Sequence, residues 1–292
     1  MRRLLSPLRA ARIRKDFEQQ GKRLAEQPVD VRQERFIAHV PPERPPGGYA
    51  LLVFVPPWQD ARVPVGWERV LDRSGVIFVS AARSGNDESA LNRRAPLALL
   101  AAANMTLRYQ VNPEQIYIGG FSGGSRVALR LALGYPDLFR GVILNAGSDP
   151  VGDSEIPLPP GDLLQKVQKS TRIVYLTGES DEPHLLDDMR SRQSLKGWCV
   201  FDQVTITVPR QGHEPAEPTA LGRALHALSQ RSPPDPSKLG ACQAHIEAAL
   251  HGDLAKVEAA FARHDSGATA LLEQFDVRYG GLGGPRVLEL AR

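Results

Sequence analysis

The order of elements in this chain predicts an α/β protein, with a mostly parallel sheet covered by helices on both faces. Three observations carry that expectation. Short, predominantly apolar runs, at Tyr49–Val55, Gly75–Ser80, Gly141–Asn145, Arg172–Leu176 and Val204–Val208, recur between helical stretches, as strands do when a sheet is buried on both sides. With 292 residues, 42% of them hydrophobic, the chain can bury a sizeable core. The run Ile116-Tyr117-Ile118-Gly119-Gly120-Phe121-Ser122-Gly123-Gly124-Ser125-Arg126-Val127-Ala128 enters a G-x-S-x-G turn as a strand and leaves it as a helix.

Taken in order, residues 1–30 read as a basic N-terminal arm or helix, rich in arginine and lysine from Arg2 to Arg23. Such charge runs usually face water, and an interaction arm is the alternative. Residues 31–230 read as the main α/β unit. An extended segment from Val31 to Val40 and a Pro/Gly-rich turn, Pro41–Gly48, predict a hairpin leading into the strand Tyr49–Val55. A strand at Gly75–Ser80, an Ala/Leu-rich helix from Pro96 to Tyr109 and a strand at Gln115–Ile118 lead to the G-x-S-x-G turn, and strands and helices alternate beyond it. The proline-rich, acidic segment Val151–Gly161 reads as a long connecting loop.

Residues 231–292 read as a linker and C-terminal helical extension. The linker is Arg231-Ser232-Pro233-Pro234-Asp235-Pro236. A helical pattern follows over Cys242–Arg263, broken at His251-Gly252-Asp253, with Ile246, Leu250, Leu254, Val257 and Phe261 as its buried stripe. The predicted hairpin has the glycine-rich Tyr279–Pro285 at its tip, a turn that lacks the strand and the Lys-Ser/Thr of a phosphate loop.

Composition narrows the function classes. A net charge of +3 and a pI near 8.9, with no basic stripe interleaved with aromatics, give no sign of nucleic-acid binding. No apolar run reaches the roughly 20 residues needed to span a bilayer. Leu4–Leu8 is interrupted by Pro7 and followed by arginines, so the chain as written reads as cytoplasmic, with export open if a leader is missing. Cys199 and Cys242 have no C-x-x-C spacing, which argues against a zinc or redox pair. They are expected as two ordinary thiols, with a disulfide as the alternative for an exported protein.

The chemistry concentrates at predicted strand ends, where ligands bind in such sheets. A serine on a sharp strand-to-helix turn needs small neighbours, because a side chain at Gly120 or Gly124 would strike the adjacent strand or helix. Ser122 is therefore the candidate nucleophile, and the N–H of Gly123 at the helix start is a candidate oxyanion donor. A serine hydroxyl needs a general base oriented by a carboxylate. His213 follows the last strand as Gln211-Gly212-His213, and Asp181 follows the one before it in Thr177-Gly178-Glu179-Ser180-Asp181. Glu179, Glu182, Asp187 and Asp149 are nearby alternatives for the acid.

On these residues, and on the Asn112-Pro113-Glu114-Gln115-Ile116-Tyr117 lead-in, the stretch from about Arg35 to Gln230 resembles the α/β-hydrolase superfamily. More narrowly it is similar to bacterial esterases of the polyhydroxybutyrate depolymerase, feruloyl and acetylxylan esterase type. The resemblance implies hydrolysis of a small-molecule or polymer-derived carboxylic ester through an acyl-serine, with no metal or organic cofactor. The chain departs from the family in having Phe54-Val55-Pro56-Pro57-Trp58-Gln59 where His-Gly is common. Proline has no N–H to donate, so the second oxyanion donor is expected at Trp58 or Gln59, with Trp58 favoured. Arg83 and Asn86, in the loop Arg83–Glu88, are candidates for binding a polar substrate group; a solvated turn is the alternative.

Overall fold

The structure is a computed structural model and describes residues 3–22, 29–230 and 232–292. The arm residues Arg2 and Arg23 and the linker residue Arg231 lie outside the described residues. Seven strands form one sheet: β1 (Phe36–His39), β2 (Tyr49–Val55), β3 (Val76–Ala81), β4 (Val111–Phe121), β5 (Gly141–Asn145), β6 (Arg172–Gly178) and β7 (Gln203–Val208). Their order across the sheet is β1-β3-β2-β4-β5-β6-β7. Every pairing is parallel except that of β1 with β3.

The alternation of side chains along each strand divides the core in two. Leu51, Val53, Val55, Ile77 and Val79 point to one face. There they meet α3 (Ala95–Arg108) and α4 (Gly123–Gly134), with α5 (Gly161–Ser170) and α6 (Glu182–Gly197) on the same side. Ala50, Leu52, Phe54 and Phe78 point to the other face, against α2 (Glu68–Ser74) and α7 (Pro218–Ser229). Both faces are covered, which is why the strands read as apolar runs rather than as alternating ones.

Two expectations are corrected. The segment before β2 does not form a hairpin with it. Both edges of β2 are taken by the parallel strands β3 and β4, so β1 crosses over and takes the free edge of β3, with Phe36 opposite Ala81 and His39 opposite Phe78. Nor is the helix of the C-terminal region broken at Gly252. It runs unbroken as α8 (Pro236–Ala262), capped by Asp235, whose carboxylate accepts from the N–H groups of Ser237 and Lys238. An interior glycine costs a helix about 1 kcal/mol, too little to end a 27-residue helix whose Val257 face is buried.

The hairpin turn lies instead at 263–267, before α9 (Ala268–Tyr279), and the glycine-rich stretch is a 3-10 turn leading into α10 (Gly284–Leu290). These helices and α1 (Pro7–Gln19) share a separate cluster of Leu8, Val257, Leu272, Phe275, Tyr279 and Val287. Asp276 of α9 ties α1 in place, accepting from Ser6 Oγ at 2.5 Å and from the Leu8 N–H at 3.2 Å.

The cysteines are also corrected: Cys199 and Cys242 form a disulfide, with Cα atoms 5.9 Å apart, that fastens α8 to the end of α6. The 150–160 connection receives the extension as well. The Leu158 carbonyl accepts from the Gly281 N–H at 2.8 Å. Among the described residues, no helix is long and apolar enough to cross a membrane.

Candidate active site

The carboxyl ends of β2, β4, β5, β6 and β7 converge on Ser122. The chain reaches this residue from β4 and turns at once into α4, which forces φ 53 and ψ −126 on Ser122. That backbone conformation is costly for any residue with a side chain, by about 1–3 kcal/mol. Space explains the flanking glycines: a Cβ at Gly120 would strike the Gly124 backbone, and one at Gly124 would strike the Val55 carbonyl of the neighbouring strand. The turn is held from below, since the Asn145 carbonyl accepts from the Ser122 N–H at 2.9 Å and from Ser125 Oγ at 3.0 Å.

His213 Nε2 lies 3.0 Å from Ser122 Oγ. Its Nδ1 lies 2.8 Å from Asp181 Oδ2. The structure therefore joins the three residues read from the sequence into one hydrogen-bonded line, from serine through imidazole to carboxylate. Three of the other acids have separate partners, and Glu182 is the first residue of α6. Asp149 and Asp187 pair with Arg126 at 3.1 and 3.3 Å, and Glu179 accepts from the Arg210 N–H at 3.1 Å.

Asp181 is buried, and it occupies the N-cap position of α6 without capping it. Its second oxygen, Oδ1, lies 2.8 Å from Nδ1 of His184. Burial alone would raise the pKa of Asp181, but the hydrogen bonds from His184 and His213 outweigh it and hold the carboxyl below the ordinary aspartate range. The two imidazoles are stacked, with centroids 4.2 Å apart and planes inclined by 13°. Phe121 adds a second ring contact to His213 at 4.9 Å. Sequence reading missed His184; the signal available was a histidine three residues past the aspartate, on the first turn of a helix.

Two further supports were missed. Asn145 fastens the loop after His213 to the sheet, its Oδ1 accepting from the Ala216 N–H at 2.8 Å and its Nδ2 donating to the Leu176 carbonyl at 2.9 Å. Arg94 is buried and donates to the Pro56 carbonyl and the Ser84 carbonyl, both at 2.9 Å. It thus clamps the loop after β2 to the loop after β3. Burial pushes its pKa down to about 10, so it remains charged near neutral pH.

The remaining predicted residues divide. The Asn86 side chain lies against Gly123, at the mouth of the turn. Arg83 points toward the sheet edge, donating to Glu34 at 3.0 Å and to the Gln33 carbonyl at 3.1 Å. Trp58 contacts Phe54 and Phe121 with its indole, with Arg62 4.4 Å above its ring, and its Nε1 is buried with no partner among the described residues. Trp58, Arg62, Trp67, Gln211 and Glu214 line a cavity of about 580 Å³ beside His213.

A seven-stranded sheet with one antiparallel edge strand, helices on both faces and a strained serine between β4 and α4 decides the architecture. The fold is the α/β-hydrolase fold. Solved structures share it at low sequence identity. A ferulic acid esterase matches with TM-score 0.50 and 14% identity over 66% of this chain and 89% of its own. The Staphylococcus aureus fluorophosphonate-binding serine hydrolase FphF, substrate bound, matches with TM-score 0.50 and 13% identity over 68% and 99%. Dipeptidyl peptidase 4 of Porphyromonas gingivalis matches with TM-score 0.50 and 15% identity over 68% of this chain. The chain spans 34% of that peptidase's length, and 53% of the length of a thermostable esterase that it also matches. No family profile matches the chain, and no curated protein matches it in sequence.

Proposed function

We propose that this α/β-hydrolase-fold protein is a serine hydrolase of carboxylic esters. The observation that carries the reading is the continuous line Ser122 Oγ, His213 and Asp181, at 3.0 and 2.8 Å, on the strained turn after β4. In this reading Ser122 Oγ attacks the ester carbonyl while Nε2 of His213 takes its proton. Asp181 holds Nδ1–H, fixing the tautomer and stabilising the imidazolium that forms. The tetrahedral oxyanion is received by the Gly123 N–H at the start of α4, with the positive end of that helix behind it, and by the Trp58 N–H.

The imidazolium then returns its proton to the leaving alcohol. Water, deprotonated by the same histidine, releases the acid from Ser122. Arg94 contributes by holding the Pro56 carbonyl, and with it the position of the Trp58 loop. The cavity beside His213 would take one arm of the substrate. Thioesters and amides pass through the same intermediate, so the leaving group is settled by assay.

The experiment is a panel of p-nitrophenyl esters, matched thioesters and p-nitroanilides, run with wild type and Ser122→Ala beside fluorophosphonate labelling. Turnover of the oxygen esters that is lost in Ser122→Ala, with the label on Ser122 alone, is the expected result. No turnover and no label in wild type would favour the rival reading, a binding protein that keeps the fold without catalysis.

A further inference from the structure

We propose that Asp181, His184 and His213 form a site for one divalent transition-metal ion of the zinc type, and that an ion bound there switches Ser122 off. The inhibition rests on the proposed hydrolase reading; the metal binding does not.

Hydrolysis through Ser122 uses one histidine, yet Asp181 serves two. An aspartate at a helix N-cap ordinarily accepts backbone N–H groups, but both oxygens of Asp181 are given to imidazole Nδ1 atoms, each at 2.8 Å. One ligand atom from each of the three residues can be chosen so that all lie within 4.8 Å of one another. Zinc binds imidazole nitrogen and carboxylate oxygen at about 2.0–2.2 Å, which sets tetrahedral ligands roughly 3.4 Å apart. Closing from the observed spread needs side-chain movements of about 1 Å, with no change of fold. The aspartate is buried and cannot move far, whereas the side chains of His184 and His213 are 19% and 39% exposed, so the metal has a path in from solvent.

The proton inventory explains the inhibition. Without metal, each Nδ1 carries the hydrogen that it gives to Asp181. The ion takes the Nδ1 lone pairs and one carboxylate oxygen, with water as the fourth ligand. Each neutral imidazole then carries its hydrogen on Nε2, the exchange passing through solvent, so no proton is released overall. Nε2 of His213, 3.0 Å from Ser122 Oγ, becomes a donor. It has no lone pair left to take the hydroxyl proton, and the serine stays a weak nucleophile. Two nitrogens and one oxygen suit zinc, copper(II) and nickel(II), whereas magnesium and calcium require oxygen ligands.

The test titrates zinc calorimetrically into Ser122→Ala protein, which keeps all three ligands and needs no turnover. One equivalent should bind, and adding His184→Phe, which keeps a ring stacked on His213 but removes its nitrogens, should weaken that binding at least tenfold. His184→Gln is the second variant, should the phenyl ring disturb folding. In parallel, zinc should slow fluorophosphonate labelling of wild type at least tenfold, reversibly with EDTA, with no effect of magnesium, and should slow it less than twofold in the His184 variants. Equal zinc binding with and without His184, or no binding at millimolar zinc, would overturn the proposal. Wild type that binds zinc through His184 but takes no label even without metal would instead overturn the hydrolase reading and leave the metal site standing.

Discussion

Replacing Ser122 with glycine should make the protein more stable than replacing it with alanine, although neither variant can act as a nucleophile. Both substitutions remove the 3.0 Å contact with His213. Both keep the N–H that donates to the Asn145 carbonyl at 2.9 Å. What separates them is the backbone, held at φ 53 and ψ −126. A residue with a Cβ held there is strained by about 1–3 kcal/mol. Glycine escapes that strain, but its freer unfolded chain offsets about 0.5–1 kcal/mol of the gain. The difference left is about 1 kcal/mol in favour of glycine, which for a chain of this size raises Tm by about 2–4 °C. Urea unfolding and calorimetry of the two variants side by side measure it. A glycine variant no more stable than the alanine variant would refute the view that the fold stores strain to present this serine.

Two more predictions concern the helical extension. The Cys199–Cys242 bond closes a loop with a sequence separation of 43, which in the chain-entropy account stabilises the fold by about 4 kcal/mol. Dithiothreitol, or a double alanine variant, should therefore lower the melting temperature by several degrees; two titratable thiols in the unreduced native protein would show that the bond does not form. Asp276 is buried, which raises its pKa although Ser6 and Leu8 donate to it. A carboxyl raised on folding contributes stability that is complete below its unfolded pKa and is lost as pH rises through its folded pKa. Wild type should thus lose stability relative to Asp276→Asn between pH 4 and pH 7, as read by urea melts at both; the opposite slope would show that the hydrogen bonds from Ser6 and Leu8 outweigh burial.

The disulfide also bears on where the protein works. Such bonds persist in oxidising compartments, which sets Cys199–Cys242 against the cytoplasmic reading drawn from the interruption of Leu4–Leu8 by Pro7. Mass spectrometry of alkylated protein taken directly from cells would decide between the two.

Much of the architecture was legible in the chain because it is written in local patterns. Strands buried on both faces must be apolar throughout, and a serine between a strand and a helix must have glycines at Gly120 and Gly124, where the Val55 carbonyl and the helix backbone leave no room. Ser122, Asp181 and His213 could be placed at strand ends because each follows such a run within a few residues. Other features depend on which distant segments meet, and no local period encodes that. β1 takes the edge of β3 because β2 has no free edge. Cys199 meets Cys242 only because the fold brings the start of α8 to the end of α6, and Gly252 failed as a helix stop because packing around Val257 outweighs one glycine. Arg94 and Asn145 are an ordinary helix-start arginine and strand-end asparagine until the fold brings Pro56 and Ala216 to them. His184 likewise gains its meaning only when β6 and β7 bring Asp181 and His213 together, since an imidazole's role is set by what faces its nitrogens, and that is a property of the folded chain.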